Sequence, residues 1–282
     1  MPSPLDLADL PFLREALFEL VLLAITGGVL GAWIVLRRLA FFSHAAGSAT
    51  FPGLVAADAS GVTPTIAGIA VALGYAGGVQ LFGRAGRGPA GPASDANARD
   101  HGEATALLLV AALATGVILA SDVFESGAVV DRLLFGTLLG LDTADLVLSA
   151  AVAVLAAAGA LALGRTWSAV GFDPDGAQAL GLPAGRADLL LLVLVAVAAV
   201  SAVPAVGALL VTAIYVLPAA AARMLTGSIR GLVACALGVA LAEGVTGLYL
   251  AYWLDVPVGP PVAVLGALVC LILAAVTGRS AA

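Results

Sequence analysis

Residues 171 to 183 read GFDPDGAQALGLP, and this polar interruption between long apolar segments orients the rest of the chain. Asp173 is a good helix N-cap, and Pro174 follows at the first helical position, where its missing N–H is not needed. Gly181 can adopt the left-handed conformation that ends a helix, and Pro183 prevents a continuation. The stretch therefore predicts a short helix with a defined start and a defined end.

The predicted helix runs from Pro174 to Leu180, which is about two turns. A helix this short is unstable alone in water, so it must dock on another surface. Phe172, Leu180 and Leu182 give it an apolar side for docking. Because long apolar segments flank it, we expect it to lie at a membrane surface and to face a partner protein.

The composition is that of a polytopic membrane protein. Of 282 residues, 62% are hydrophobic and 11% are charged, and the mean hydropathy is +1.12. A soluble domain has about 25% charged residues. We therefore expect one all-α transmembrane bundle over residues 1–282, with Cys235 and Cys270 as ordinary core residues.

A membrane span needs about 20 apolar residues. We expect nine spans: 17–36, 41–57, 64–82, 103–120, 146–164, 187–203, 206–222, 231–254 and 258–276. A second polar interruption, rich in Gly, Pro, Ala and Arg, predicts a flexible loop at 84–102. The apolar run Leu133 to Leu141 is too short to cross, so we expect it to be re-entrant or interfacial. The acids around it are interpreted as a solvated outer face: Asp122, Glu125, Asp131, Asp142 and Asp145.

The distribution of arginine orients the chain, which contains no lysine. With nine spans and the 171–183 helix in the cytoplasm, the N-terminus lies outside and the C-terminus inside. All of the arginines except Arg14 and Arg132 then lie inside, as the positive-inside rule requires. The same orientation places the 84–102 loop in the cytoplasm.

Several enzyme classes lack their motifs in this sequence. HExxH, GxSxG and a pair of intramembrane Asp residues are absent, which argues against an intramembrane hydrolase. A phosphate-binding loop needs a Lys, and the chain has none. The chain is therefore expected not to be an enzyme, to hold no cofactor, and to depend on another chain if ATP drives it.

Polar residues inside spans are candidates for a transport path, because burying them in lipid is costly. His44 and Ser48 are four residues apart and share a helix face. A structural hydrogen bond near a helix end is an equally good interpretation of His44. Glu243 lies near the middle of the eighth span, and a functional role is favoured over a structural hydrogen bond. We expect these residues to make transient contacts with a cation at separate steps of a route.

Four sequence blocks, in order, resemble the permease subunit of ABC importers for zinc, manganese and iron. RRLAFFSHAAGSATFPG, at 37–53, is similar to the family pattern R-R-x-A-F-x-G-D-A-L-S-H-A-x-x-P-G. FDPDGAQALGLP, at 172–183, is similar to F-D-x-x-x-A-x-A-L-G-L-P. VGALLVTAIYVLPAAAAR, at 206–223, and DVPVGP, at 255–260, match V-G-x-L-L-V-x-A-x-x-x-x-P-A-A-x-A-R and D-x-P-x-G-P. The first block departs from the family, because His44 and Ser48 stand where it has Asp and His.

The resemblance implies a permease in a bacterial cytoplasmic membrane, working by alternating access as a homodimer or pseudo-dimer. It implies a cytoplasmic ATP-binding subunit, an extracytoplasmic metal-binding protein and a divalent cation as cargo, with zinc ranked before manganese. The helix beginning at Asp173 would fit a groove on the ATPase subunit. The residues expected at that contact are Phe172, Asp173, Pro174, Leu180, Gly181, Leu182 and Pro183.

Two alternatives stay open at this point. One is a permease for a metal chelate such as haem or a siderophore, which would need a wider, aromatic-lined path. The other is an ion-coupled secondary transporter, whose typical sign is a pair of interrupted helices in two related halves. No nucleic-acid partner is expected; lipid surrounds the chain.

Overall fold

The computed structural model describes residues 11–85, 93–123, 136–138, 141–208 and 210–278. Regular structure in these ranges is helical, which confirms the all-α fold. The helices are α1 (Pro11–Leu36), α2 (Ala40–Ala49), α3 (Phe51–Ser60), α4 (Pro64–Ala85), α5 (Ala93–Ile118), α6 (Thr143–Phe172), α7 (Pro174–Ala179), α8 (Ala184–Val206), α9 (Val211–Leu225), α10 (Ile229–Leu254) and α11 (Gly259–Thr277). A π-helical turn, Leu119–Val123, extends α5.

Seven helices in the described ranges are long and apolar enough to cross a membrane: α1, α4, α5, α6, α8, α10 and α11. The polytopic bundle is thereby confirmed. Most of the spanning part of α1 (78%) and of α8 (67%) is buried inside the protein, compared with 17% for α5 and 22% for α6 and α11. The first pair therefore forms the centre of the bundle, and the other three helices form its rim, where apolar side chains can face lipid.

The expected second span, 41–57, is not one continuous helix. It is divided into α2 and α3 at Thr50, whose N–H bonds to Gly47 O at 3.4 Å and whose Oγ1 donates to the same oxygen at 2.6 Å. Pro52 lacks the N–H that would continue the regular hydrogen bonds, so the helix restarts with proline in its first turn. The sequence pattern located the apolar segment but missed the break.

The bounds of the expected seventh span, 206–222, are wrong, and the helix found there is shorter than the prediction. Its helix, α9, is displaced to Val211–Leu225 and has 15 residues. Its length of about 22 Å is shorter than the hydrocarbon core of a bilayer. The chain reverses at Gly207, which has φ +79°. Pro204 lies inside α8, and its carbonyl accepts the Thr137 N–H at 2.9 Å, so the reversal is packed inside the protein.

The predicted loop at 84–102 is too long. Helix α4 continues to Ala85 and α5 begins at Ala93, so only residues 86–92 remain between them, outside the described residues. No Gly or Pro interrupts 93–101, and this alanine-rich stretch extends the helix beyond its membrane span. The predicted re-entrant run 133–141 also lies mostly outside the described residues; of its members, Leu138 is buried.

Helix α1 approaches two neighbours at backbone distance through glycines. A Cβ added to Gly28 would lie 2.8 Å from the Cα of Leu237 in α10. A Cβ added to Gly31 would overlap the carbonyl oxygen of Tyr215 in α9. Small residues allow this approach in membranes, where dispersion contacts between helices drive packing. The glycines therefore hold α1 in close contact with α9 and α10.

Candidate functional site

The short helix predicted between Asp173 and Gly181 is present as α7. Asp173 Oδ1 accepts the Gly176 N–H at 2.9 Å, so the predicted N-cap is confirmed. Gly181 has φ +73°, and the Leu182 N–H bonds to Ala177 O at 3.0 Å across the left-handed turn. That bond is typical of a glycine-ended helix. The sequence therefore predicted both ends of α7 to within one residue.

Helix α7 contacts the rest of its own chain over only a small area. Ala177 is buried, whereas Phe172 and Leu180 are 76% and 80% exposed. Leu182 is half-buried, and Asp173, Gly181 and Pro183 are exposed. The apolar side chains expected to dock thus remain uncovered at the two ends of the helix, where they are accessible to another protein.

Glu243 lies in the membrane-spanning part of α10 and is 4% exposed. Its Oε1 has no hydrogen-bond partner among the described residues. The carboxylate borders a small cavity that leaves about 10 Å³ for the centre of a water molecule, roughly the space that one water needs. The other lining residues are Leu20, Leu23, Ala24, Ile214, Pro218, Ala240, Gly244 and Val262. An unpaired carboxylate in such apolar surroundings is able to contact a cation or to hold a proton.

Helix α11 approaches the other oxygen of the same carboxylate. A Cβ added to Gly266 would lie 3.0 Å from Glu243 Oε2 and 2.9 Å from Leu217 Cδ1. The carboxylate is therefore surrounded by α1, α9 and α11, and the absence of a side chain at Gly266 leaves it room.

His44 and Ser48 lie on α2, away from that cavity, to which α2 contributes no lining residue. His44 is half-buried and Ser48 is buried. Between them, a Cβ at Gly47 would lie 3.5 Å from Ala208 O and 3.6 Å from Val211 Cγ2. The α2 residues therefore belong with the α8–α9 reversal, and the structure does not bring them together with Glu243. Within the described residues, no group of three or more His, Cys, Asp or Glu could hold a metal ion.

A second intramembrane carboxylate, Glu19, was not among the residues predicted from the sequence. It lies in α1, is fully buried, and its Oε1 accepts a hydrogen bond from Ser149 Oγ at 2.6 Å. Its Oε2 has no partner among the described residues. The signal was available, because Glu19 falls within the predicted first span, where a carboxylate is as costly as at Glu243.

The profile of the ABC 3 transport family matches residues 9–277, nearly the whole chain. The chain belongs to the ABC 3 transport family. It is accordingly a membrane-spanning subunit of an ABC transport system, and the resemblance seen in the four sequence blocks is confirmed.

Relatives in the ABC 3 family include membrane proteins of metal transport systems. The chain is 27% identical to the manganese transport system membrane protein MntC of Halalkalibacterium halodurans, over 90% of this chain and 83% of the relative. It is 26% identical to the manganese import system permease protein ScaB of Streptococcus gordonii, over 94% and 91%. It is 28% identical to a probable metal transport system membrane protein of Thermotoga maritima, over 92% and 88%.

Two solved structures share the fold. PsaBC from Streptococcus pneumoniae, solved in complex with Fab, superposes with a TM-score of 0.80 at 24% identity, covering 95% of this chain and 92% of that one. An inward-facing structure, described as an ABC transporter of the metal-chelate type, superposes with a TM-score of 0.69 at 17% identity, covering 92% and 84%. At these identities the likeness establishes the fold alone.

Three of the four ABC 3 sequence blocks meet at the α8–α9 reversal. Gly47 of the first block faces Ala208 and Val211 of the third. In the fourth block, a Cβ at Gly259 would lie 2.9 Å from the carbonyl oxygen of Val206. The second block stands apart as α7. The family pattern thus marks two places in the fold, an inner reversal and an exposed helix.

Proposed function

We propose that this chain is the permease subunit of an ATP-binding-cassette importer that carries a divalent metal ion across a bacterial cytoplasmic membrane. The observation that carries the proposal is α7, a capped helix between two spans that leaves Phe172 and Leu180 exposed. A cytoplasmic ATP-binding subunit would cover these side chains. ATP would be hydrolysed there, since the chain has no lysine for a phosphate-binding loop of its own.

The assembly we propose contains two copies of this chain, with the path at their interface, and an extracytoplasmic metal-binding protein. The N-terminus lies outside and the C-terminus inside, which keeps α7 and most arginines in the cytoplasm. Membership of an ABC transport family supports this arrangement over an ion-coupled secondary transporter.

For the cargo we rank manganese first and zinc second. Composition and motifs alone ranked zinc first, but two relatives are named as manganese systems. Ligand chemistry points the same way at one step, because carboxylate oxygens such as those of Glu243 suit Mn²⁺. His44 suits zinc and other borderline cations, and it would act at a separate step beside Ser48.

A metal chelate is the second candidate, supported by the fold shared with a metal-chelate type transporter. The cavity at Glu243 favours the bare ion, because it leaves only about 10 Å³ for the centre of a water molecule. A typical pocket for an organic ligand is far larger. A chelate would therefore require a wider passage at this level.

The deciding experiment is radiometal uptake by proteoliposomes that contain this chain with its ATPase subunit and ATP. We expect uptake of manganese or zinc, and we expect Glu243→Gln and His44→Ala each to reduce it at least several-fold. Glu103→Gln is the matched control, because Glu103 is an exposed carboxylate on α5. The family-like double variant, His44→Asp with Ser48→His, should retain transport or change the preferred metal.

Two results would contradict different parts of this assignment. No ATP-dependent uptake of either metal by the wild-type complex would contradict the cargo. Wild-type rates for both single variants would make these residues structural and move the path to other groups.

A further inference from the structure

A buried ion pair joins α1 to α8 beside the start of α7. Arg37 follows the last residue of α1, and its Nη2 donates to Asp188 Oδ1 at 2.5 Å. Its Nη1 donates to the main-chain oxygen of Trp167 in α6 at 3.1 Å. The Arg37 side chain is 13% exposed and that of Asp188 is 5% exposed. A single guanidinium at the end of α1 thus contacts two other helices, α6 and α8, in the fork geometry that Arg provides and Lys does not.

Trp167 completes this cluster. It is fully buried, and its Nε1 donates to the main-chain oxygen of Ala187 at 2.9 Å. Its ring meets Trp33 of α1 edge to face, with 5.3 Å between centroids and 70° between planes. The cluster therefore binds α6 to α8 directly, and α1 to both.

Two glycines make room for the cluster. A Cβ at Gly171 would lie 2.7 Å from Arg37 Cδ, and a Cβ at Gly164 would lie 2.9 Å from Trp33 Cζ2. Both glycines lie on α6, on either side of Trp167. Because any side chain at either position would displace Arg37 or Trp33, the cluster depends on this backbone.

The position of the cluster relates it to α7. Trp167 precedes α7 in the chain and Asp188 follows it. The cluster therefore joins the two chain segments, α6 and α8, between which α7 lies. Ala177 of α7 is buried, and α7 packs against α5 as well as against α6 and α8, which adjoin it in the chain. Force applied to α7 is therefore transmitted to the adjoining ends of α6 and α8. Arg37 connects those ends to α1, which carries Leu20 and Leu23 at the Glu243 cavity.

We propose that Arg37 and Asp188 are a positioning pair that transmits the movement of α7 to α1. Through this pair, ATP hydrolysis on the partner subunit moves α1, and with it the wall of the cavity beside Glu243. This role rests on the proposed function, since it requires an ATPase subunit docked on α7.

The first test compares ATP hydrolysed with metal transported in proteoliposomes holding the complete complex. We expect the double variant Arg37→Met with Asp188→Asn to keep its ATPase rate within two-fold while transport falls at least ten-fold. The double variant Arg37→Lys with Asp188→Glu retains a charge pair and should recover part of the transport. Arg38→Met is the matched control, because Arg38 is the adjacent arginine and is exposed. A normal hydrolysis-to-transport ratio in the first double variant would overturn the proposal.

The second test does not depend on the cargo. Spin labels at Arg38→Cys and Ala179→Cys, with Cys235 and Cys270 replaced by alanine, report the distance between the end of α1 and α7 in the ATPase-bound complex. We expect one narrow distance distribution with the pair present and a broad one in Asp188→Asn, a variant that conserves side-chain shape. An unchanged distribution in Asp188→Asn would overturn the coupling even if the first double variant does not fold. Absence of metal uptake by the wild-type complex, together with the expected broadening, would contradict only the cargo.

Discussion

Ser149 of α6 donates a 2.6 Å hydrogen bond to Glu19 of α1, inside the membrane-spanning bundle. The second contact between these helices, from Arg37 to Trp167, lies the same number of residues further along each helix. Helices α1 and α6 therefore run parallel and are joined by polar contacts at both ends. The first contact joins two buried side chains, and the second joins a half-buried side chain to a main-chain oxygen. The relative position of the two helices therefore depends on hydrogen bonds as well as on apolar packing.

Removing the donor of the first contact should destabilise the bundle. Ser149→Ala leaves both Glu19 oxygens without a partner among the described residues, and we expect a loss of roughly 1 kcal/mol, within the range for such bonds. The measurement is thermal unfolding of the purified chain in detergent. Ser168→Ala is the control, because Ser168 also lies on α6 but bonds to Gly164 of its own helix. Equal melting temperatures for the two variants would contradict the role of the Glu19 bond.

Backbone-distance packing predicts opposite effects for two Gly→Ala substitutions. At Gly28 the new methyl group would collide with the main chain of Leu237, so we expect lower thermal stability. At Gly238, on the facing helix, nothing lies within 4 Å of an added Cβ. Alanine there should be neutral or raise stability by up to about 1 kcal/mol. Melting curves in detergent compare the two directly, and a destabilised Gly238→Ala with an unaffected Gly28→Ala would refute the packing described for α1 and α10.

A substitution in the turn after α7 should specifically weaken binding of the ATPase subunit. Gly181 has φ +73°. Valine in this left-handed conformation would be strained by about 1–2 kcal/mol, which should distort the exposed end of the helix. We expect Gly181→Val to reduce both ATPase association and transport, measured by co-purification and uptake, with normal membrane insertion.

Gly61 offers the matched control, because it has φ +71° and also has open space around it. Gly61→Val should carry the same local strain yet retain ATPase association. If both variants co-purify with the ATPase equally well, α7 is not the docking element.

The orientation of the chain in the membrane can be measured by cysteine labelling in intact cells, in a background in which Cys235 and Cys270 are replaced. We expect an impermeant maleimide to label Ser60→Cys, at the outer end of α3, and not to label Ser94→Cys or Gly227→Cys. The physical reason is the arginine bias, which holds the α4–α5 and α9–α10 connections inside. Labelling of Ser94→Cys from outside would reverse the topology. Protection of Ser60→Cys would mean that α2 and α3 do not complete a crossing.

The sequence predicted those elements that depend on local chemistry. The caps of α7 are decided within a few residues, by the side-chain oxygen of Asp173 and the backbone freedom of Gly181. The long spans were also predicted, because about 20 apolar residues can bury themselves in lipid only as a helix. The breaks were harder to predict, because the effect of a proline such as Pro52 on a helix depends on what surrounds it.

The sequence by itself determined the class of the protein and the ends of its exposed helix, because hydropathy and capping are short-range properties. Only the tertiary structure decided which buried polar groups meet. Glu19 pairs with Ser149, Arg37 pairs with Asp188, and the cavity at Glu243 is separate from His44. These contacts join residues far apart in the chain, and helix packing at glycines sets them. Hydropathy gives the length of each helix, whereas side-chain volume and hydrogen bonding between helices determine its neighbours and its rotation.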